Sequence, residues 1–587
     1  MIPDDPLKKV LHIDLSLRRF WVEERKDLFE NRLGGAGVAI ELLREECKRG
    51  CDPLSPDNPI IFSVGPLTAC FPIASKTVAM FKSPLTKNLG ESHAGGRSAV
   101  AIRSAGYGAI VIKGKSETPV YLVIQDDRVN FRDASVLWGM RSSHTVGRVI
   151  REREGGAGVR AIMRIGRAGE KLVAYSTVIT ETYRHFGRLG LGAVFGSKKL
   201  KALMIQGRRS IKVGDIKLYR EVYKELYDTI TKSAVMKKYH ELGTPMNIIP
   251  LNELKALPTR NLSSAYFEDG KEISGEAFAE RFLGRRVACA HCPVACIHLA
   301  ALRVPYVDEP FFYKTIMISY DYELIYALGS MLGVSSPEGL LRLIEEAESL
   351  GLDAMSTGVV LAWTTEAQKK GLISQDDTEG LMLEWSDYKA YIEVIRRIVD
   401  QPTPFFKELA QGVARASSVY GGKEFALSFG GNEMPGYHTG PAAYIGYLTG
   451  ARHSHLDGAG YSLDEKMAKE KSLKSPEEVA EALIREEGWR QVLSSLVICY
   501  FARGIYRPSV VVKALKVMGY ELGEDELEKI GKGILRRKQE FKLGEGFDFS
   551  RLELPKRVFE TPTPLGYVKE DFIKESVNFY VKKLFGS

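Results

Sequence analysis

A chain of 587 residues with 44% hydrophobic and 27% charged side chains is long enough for several domains around large cores, and its composition is globular rather than disordered. The net charge of +8, from 82 basic and 74 acidic residues, is a modest excess that fits either a mixed solvated surface or a basic patch for a small acidic electron carrier. No run of 18 or more apolar residues occurs, the start Met1-Ile-Pro-Asp-Asp-Pro has no apolar signal core, and no basic tract is interleaved with aromatics; a cytoplasmic protein with no membrane or nucleic-acid partner is expected.

Residues 1–207 read as a β-rich domain. Lys9 to Glu23 alternates around a polar turn, as a hairpin does, and Pro59–Val64, Thr77–Phe81, Ala109–Ile112 and Val120–Phe131 continue the pattern, the last around Asp126-Asp127. A mostly antiparallel domain follows. Between these strands lie two glycine-rich loops with basic neighbours, Ser92-His93-Ala94-Gly95-Gly96-Arg97 and Arg184-His185-Phe186-Gly187-Arg188 with its continuation to Lys198. Glycine lets backbone N–H groups approach an anion and arginine supplies a bidentate fork, so both loops suit phosphate; each is also an ordinary way to build a tight turn.

From about 208 the periodicity turns helical. Leu218–Leu242, Pro337–Leu350, Tyr388–Asp400 and Pro476–Leu493 carry apolar residues at three-and-four spacing, and Gln401-Pro-Thr-Pro and Gly421-Gly are breaks. The expectation is an α+β chain: a β-rich domain over 1–207, then two mainly helical domains over 208–420 and 421–587, with the aromatic tail from Phe549 packed over another domain.

Seven cysteines, an odd number with three of them clustered, point to metal ligation rather than a disulfide framework. Cys289, Cys292 and Cys296 have Cys-x-x-Cys-x-x-x-Cys spacing, which supplies three ligands of a [4Fe–4S] cluster. A structural zinc site is the alternative, and that usually brings a second Cys-x-x-Cys or a paired histidine. The fourth ligand has to come from Cys47, Cys51, Cys70 or Cys499; Cys499 is favoured because it lies in the apolar run Leu496-Val-Ile-Cys499, while Cys47 and Cys51, four apart near a helix end, read as packing residues. Asn and Gln together number only 17, a bias against thermolabile amides that suggests a thermophilic source.

With these cysteines beside the two glycine loops, the chain resembles the aldehyde:ferredoxin oxidoreductase family of tungsten enzymes over nearly its whole length. The matching blocks include Gly65-Pro-Leu-Thr68, Lys82-Ser-Pro-Leu-Thr86, Ala105 to Gly114, Ile165 to Glu170, Gly190 to Ala202, Asp321-Tyr322-Glu323 and Gly351-Leu352-Asp353. The resemblance implies a tungsten atom held by the dithiolenes of two pterins with no side chain on the metal, a nearby [4Fe–4S] cluster on Cys289, Cys292, Cys296 and Cys499, and a magnesium ion linking the pterin phosphates through backbone carbonyls at His93 and His185. It further implies that Lys76, Gly95, Gly96, Arg184, Gly187, Arg188, Leu352, Asp353, Arg452 and Ile498 contact pterin. Lys76 stands where the family has Arg, keeping charge and losing a bidentate contact. Ser494-Ser-Leu-Val-Ile-Cys499 departs from the family's acid-and-glycine pattern before that cysteine. Arg342 takes the place of the acid at the family's interfacial iron, so neither that iron nor its dimer is expected.

The implied chemistry is oxidation of a small aldehyde to an acid, with electrons leaving to ferredoxin or an iron–sulfur subunit in a homo- or hetero-oligomer. Glu323, after Tyr322, is the candidate base or water-orienting group, and His455 the donor to the substrate oxygen. The role of His453 is open, and Tyr437 and His438 either line the pocket or cap a turn. A reductase subunit acting on another carbonyl or a thioester, and a non-catalytic iron–sulfur scaffold, are the competing readings.

Overall fold

The computed structural model describes residues 1–2, 4–180, 183–306 and 309–586. The chain forms two compact units that do not follow its linear order. The first is built from 1–236, 288–294 and 484–548, the second from 237–287, 295–483 and 549–587.

The first unit holds two six-stranded sheets. One has the order β2-β1-β6-β3-β4-β5, from β1 (Lys9–Asp14), β2 (Arg19–Glu24), β3 (Ile60–Ser63), β4 (Thr77–Lys82), β5 (Leu89–Ala94) and β6 (Ala109–Lys113). The other has the order β11-β10-β9-β12-β7-β8, from β7 (Val120–Gln125), β8 (Arg128–Asp133), β9 (Val159–Ile165), β10 (Val178–Ile179), β11 (His185–Phe186) and β12 (Leu200–Gly207). Only the β1–β6 and β7–β12 neighbours run parallel among these pairs. Strands β3 and β4 are buried along their whole length, which is why they read as unbroken apolar runs, whereas the edge strand β2 is exposed throughout. The β7–β8 hairpin turns at Asp126, whose φ of 49° is a conformation Asp tolerates better than most side chains.

Strands β5 and β11 come from different sheets and lie against each other, so the two glycine loops that continue from them share one end of this unit. The helix Gly35–Glu46 packs on β3 and β4 and against the helix Glu524–Gly544. Its first turn approaches the Ser494–Ser495 backbone so closely that a Cβ at Gly35 would sit 2.1 Å from the Ser494 carbonyl oxygen, and Gly35 has φ 35°. Glycine is required there on both counts.

The second unit is mainly helical. The helix Pro337–Leu350 starts with Ser336 Oγ accepting from Gly339 N–H at 3.1 Å and ends on Gly351 with φ 81°; Asp353 caps the next helix, Ala354–Lys369. Leu352 is thus the single residue between a glycine stop and an aspartate start. A three-stranded antiparallel sheet, β13 (Leu283–Val287), β14 (Ile297–Tyr306) and β15 (Glu309–Tyr320), interrupts the stretch read as helical. β13 is the short charged stretch Leu283-Gly-Arg-Arg-Val287, and β14 and β15 mix apolar residues with His298, Arg303, Lys314 and Thr315 without clean alternation, so a periodicity reading does not mark them as strands. The tail belongs to this unit, where the helix Glu570–Phe585 packs on the helix Pro441–Thr449. The expected helix Leu218–Leu242 is two, Ile216–Lys232, which belongs to the first unit, and Ala234–Glu241, separated at Ser233.

Candidate functional site

In the first unit, three loops distant in sequence meet at Ile73. Its N–H donates to the His291 carbonyl at 2.9 Å and its own carbonyl accepts from Cys499 N–H at 3.1 Å, so one residue ties the Cys289–Cys292 turn to the Cys499 loop. Ile73 and His291 both have left-handed backbones, with φ 64° and 55°. Two further bonds complete the knot: Ala290 N–H donates to the Gly96 carbonyl at 2.9 Å, and Lys76 N–H to the Val497 carbonyl at 3.1 Å. A Cβ on Gly95 would stand 2.7 Å from Cys289 Sγ, so that position admits only glycine beside the thiol.

Cys289, Cys292, Cys296 and Cys499 are all half-buried, while Cys47, Cys51 and Cys70 are buried, which separates the four ligand candidates from the rest. Among the described residues, no three His, Cys, Asp or Glu side chains gather closely enough to hold a single metal ion. Thiolates of a cluster bind separate irons and stand further apart than that.

The glycine loops are lined by charge. His93 Nε2 faces Glu91 Oε1 at 2.7 Å, and Lys538 Nζ donates to Glu91 Oε2 at 2.5 Å, both Glu91 and Lys538 being essentially fully buried. The Tyr500 ring has Arg490 at 5.0 Å and Lys76 at 6.0 Å from its centre, two cations against one aromatic ring. Ser494, at the departure from the family pattern, shares a hydrogen bond with Tyr500 Oη. On the other loop, burial and the nearby Arg164 hold the His185 imidazole neutral, its pKa lowered to about 3. Arg184 carbonyl accepts from Thr180 N–H at 2.7 Å. A Cβ added to Gly187 would meet nothing within 4 Å, so open space adjoins that loop beside Arg188. Ile498 is buried, its N–H donating to the Leu493 carbonyl at 2.9 Å.

In the second unit, Asp321 caps the helix Tyr322–Leu328 and so starts it with Tyr322 and Glu323 in its first turn. Glu323 Oε1 lies 3.2 Å from His455 Nε2, and Glu323 Oε2 accepts from Gly436 N–H at 3.2 Å. Tyr322 Oη donates to the Gly436 carbonyl. The Tyr437 ring packs on His455 at 5.2 Å and on Tyr461 at 4.3 Å, so one wall around the Glu323–His455 pair is aromatic. His438 turns away: Nε2 faces the Thr561 carbonyl at 3.0 Å and Nδ1 faces Tyr444 Oη, and burial lowers its pKa to about 4. His453 is likewise held inward, Nδ1 at 2.8 Å from the Tyr447 carbonyl.

The loop carrying His455 is organised by a residue that the sequence reading missed. Asp457 accepts from Arg452 Nε at 2.6 Å, from Arg452 N–H at 2.9 Å and from Ser454 N–H at 3.1 Å, and is itself buried. Its only sequence signal is its place two residues beyond His455. Asp353 is similarly engaged, accepting from Met355 N–H at 3.1 Å and from Ser356 Oγ at 2.6 Å. Glu91 and Lys538 were also missed, since each alone reads as a surface charge.

The family model for the aldehyde ferredoxin oxidoreductase N-terminal domain matches residues 10–207, and that for domains 2 and 3 matches residues 221–585. A tungsten-containing aldehyde ferredoxin oxidoreductase of Thermococcus kodakarensis is 31% identical over 592 residues, covering 98% of this chain and 95% of that one. An aliphatic sulfonate oxidoreductase WOR-like subunit of Pyrococcus furiosus is 32% identical over 435 residues, covering 70% of this chain and 66% of that one. Among solved structures, the active site complex BamBC of benzoyl coenzyme A reductase has a TM-score of 0.84 at 21% identity, covering 98% of this chain and 94% of that chain, a likeness of fold. No helix among the described residues is long and apolar enough to cross a membrane. Two family models spanning most of the sequence, and a relative matched almost end to end, make this chain an oxidoreductase of the aldehyde ferredoxin oxidoreductase family.

Proposed function

We propose that this chain oxidises a small aldehyde to its carboxylic acid at a tungsten-bispterin centre, and passes the electrons through a [4Fe–4S] cluster to ferredoxin or to an iron–sulfur partner subunit. The observation that carries this reading is the meeting of the Cys289–Cys292 turn, the Cys499 loop and the Gly95-Gly96 loop around Ile73. The donor set fits: four half-buried thiols suit iron, and Lys76, Arg184 and Arg188 with the glycine backbones suit pterin phosphates. The carbonyls of His93 and His185 would take a magnesium ion between them, and Leu352, Asp353, Arg452 and Ile498 would complete the pterin contacts. The division into 1–207, 208–420 and 421–587 and a cytoplasmic location belong to the same reading.

When bound, the metal centre supplies a Lewis acid and a two-electron acceptor. The residues supply position and proton movement. Glu323 takes the proton released as water adds to the carbonyl carbon, and Gly436 N–H and His455 fix the direction of its two oxygens. His455 donates to the carbonyl oxygen as negative charge grows there. Tyr322, locked by its bond to Gly436, and Tyr437 keep water out from behind the pair. The WOR-like relative supports a second reading, action on another oxo substrate by a subunit of a larger assembly.

Metal analysis of purified protein tests the first reading. Tungsten together with roughly four irons per chain, and aldehyde-dependent reduction of a dye, is the expected result. Iron without tungsten or pterin would reduce the chain to a scaffold.

A further inference from the structure

Cys47 and Cys51 have no part in the chemistry above, yet their environment is specific. Cys47 ends the helix Gly35–Glu46, its N–H donating to the Leu43 carbonyl at 2.9 Å, and the chain turns at once, Cys51 N–H donating to the Lys48 carbonyl at 3.0 Å. The turn brings the two sulfurs to 3.7 Å. Both residues are buried, with a residual 8% and 9% exposure.

The backbone around them is pinned from outside. Lys82 Nζ donates to the Cys51 carbonyl at 2.7 Å and also binds Glu545, Gly50 N–H donates to Glu545 Oε2 at 3.2 Å, and Arg49 Nε donates to the Gly544 carbonyl at 2.9 Å. With the turn held at three points, bond formation requires side-chain rotation to shorten the sulfur separation to about 2 Å, rather than a new path of the chain.

We propose that Cys47 and Cys51 form an oxidisable dithiol that closes to an intramolecular disulfide by exchange with a low-molecular-weight disulfide. One thiolate attacks the external disulfide R–S–S–R, expelling one RS⁻ and leaving a mixed disulfide. The second thiolate attacks the protein sulfur of that mixed disulfide, forming the Cys47–Cys51 bond and expelling the second RS⁻. Two electrons pass to the external disulfide, and the two protons lost by the cysteines end on the two released thiols. Burial and the neighbouring Cys51 raise the Cys47 pKa well above its ordinary value, so exchange is slow at neutral pH and the bond, once made, is a lasting one. Disulfides are scarce in reducing compartments, intracellular proteins of hyperthermophiles being an exception, and the low amide content fits such a source.

The test uses the full-length protein incubated natively with oxidised glutathione, quenched in acid, alkylated after unfolding and cleaved with a protease that leaves 47–51 intact. The expected result is one peptide that has lost both alkyl groups together and is lighter by two hydrogens, while Cys70 stays alkylated. In Cys51→Ser that species disappears, and Cys47 is recovered alkylated or as a glutathione adduct. Wild-type peptide in which both thiols remain alkylated at every oxidant ratio, or in which only single-thiol glutathione adducts form, overturns the proposal, and needs no variant to fold.

Discussion

His455 Nε2 stands 3.2 Å from Glu323 Oε1, on a carboxylate whose other oxygen is held by the Gly436 N–H. The contact joins residues 132 positions apart in sequence and holds the carboxylate and the imidazole beside each other, which is what a pair acting on one substrate needs. Glu323→Gln keeps the shape and removes the base; His455→Asn keeps a donor and moves it. Both variants are expected to retain tungsten, pterin and iron while aldehyde turnover falls by at least about tenfold, since removing one such donor commonly costs a hundredfold or more. Steady-state assays beside metal analysis check this, and full activity in either variant strikes that residue from the catalytic pair.

Cys499 is the distant cysteine tied to the Cys289–Cys292 turn through Ile73. Replacing its thiolate by a hydroxyl removes a soft ligand that iron does not accept in exchange. Cys499→Ser should lose or convert the cluster, and Cys70→Ser should leave it intact, as read by electron paramagnetic resonance. An unaltered signal in the Cys499 variant would take that residue out of the site.

Asp457 holds the His455 loop through a guanidinium and two backbone N–H groups. Removing one partner of a buried pair leaves the other charge stranded, at a cost on the order of 3 to 5 kcal/mol. Asp457→Ala is expected to lower the melting temperature and to abolish turnover together. Asp457→Asn, which keeps an acceptor oxygen, should recover part of both. A melting temperature unchanged in the alanine variant would rule out the anchoring role.

His438 links acid sensitivity to the tail. Its pKa is lowered to about 4 by burial, below an unfolded value near 6.5, so the unfolded chain binds the proton more readily in that interval. The stability it contributes is whole above pH 6.5 and is lost as pH falls toward 4, by roughly 3 kcal/mol. Equilibrium unfolding across this range should show the slope, and His438→Gln should flatten it; an equal slope in the variant assigns the acid lability elsewhere.

Electron delivery to an acidic iron–sulfur protein would be steered by the net charge of +8. Screening grows as the Debye length shrinks from roughly 10 Å at 0.1 M salt to about 3 Å at 1 M. The rate with ferredoxin should fall with ionic strength while that with a neutral dye holds steady. Parallel curves would argue against an electrostatic encounter.

Much of the fold was legible where pattern and environment agree. The helix Pro337–Leu350 was readable from its apolar stripe because Ser336 and Gly351 bracket it, and the β7–β8 hairpin because Asp126-Asp127 marks its turn. The sheet β13-β14-β15 was not, since β13 is a five-residue charged stretch and β14 and β15 lack clean alternation. At the site, Glu323 stood out through the Asp321-Tyr322-Glu323 block and His455 through the chemistry the family resemblance implies, and the structure brings them together. Asp457, Glu91 and Lys538 did not, because what distinguishes them is burial and pairing, neither of which a single charged letter records. That residues 288–294 and 484–548 group with the unit that begins at Met1 rests on long-range contacts that no local pattern records.

The two bonds at Ile73 impose a timetable. The N–H of Cys499 that closes on Ile73 does not exist until translation has passed residue 499, some 426 positions after Ile73 itself has been made. Until then Ile73 holds only its bond to the His291 turn, and the helix Glu524–Gly544 that supplies Lys538 to Glu91 comes later still. Any group enclosed by all of these loops can be locked in only after the ribosome has released nearly the whole chain, and the nascent protein has to be kept receptive for that long.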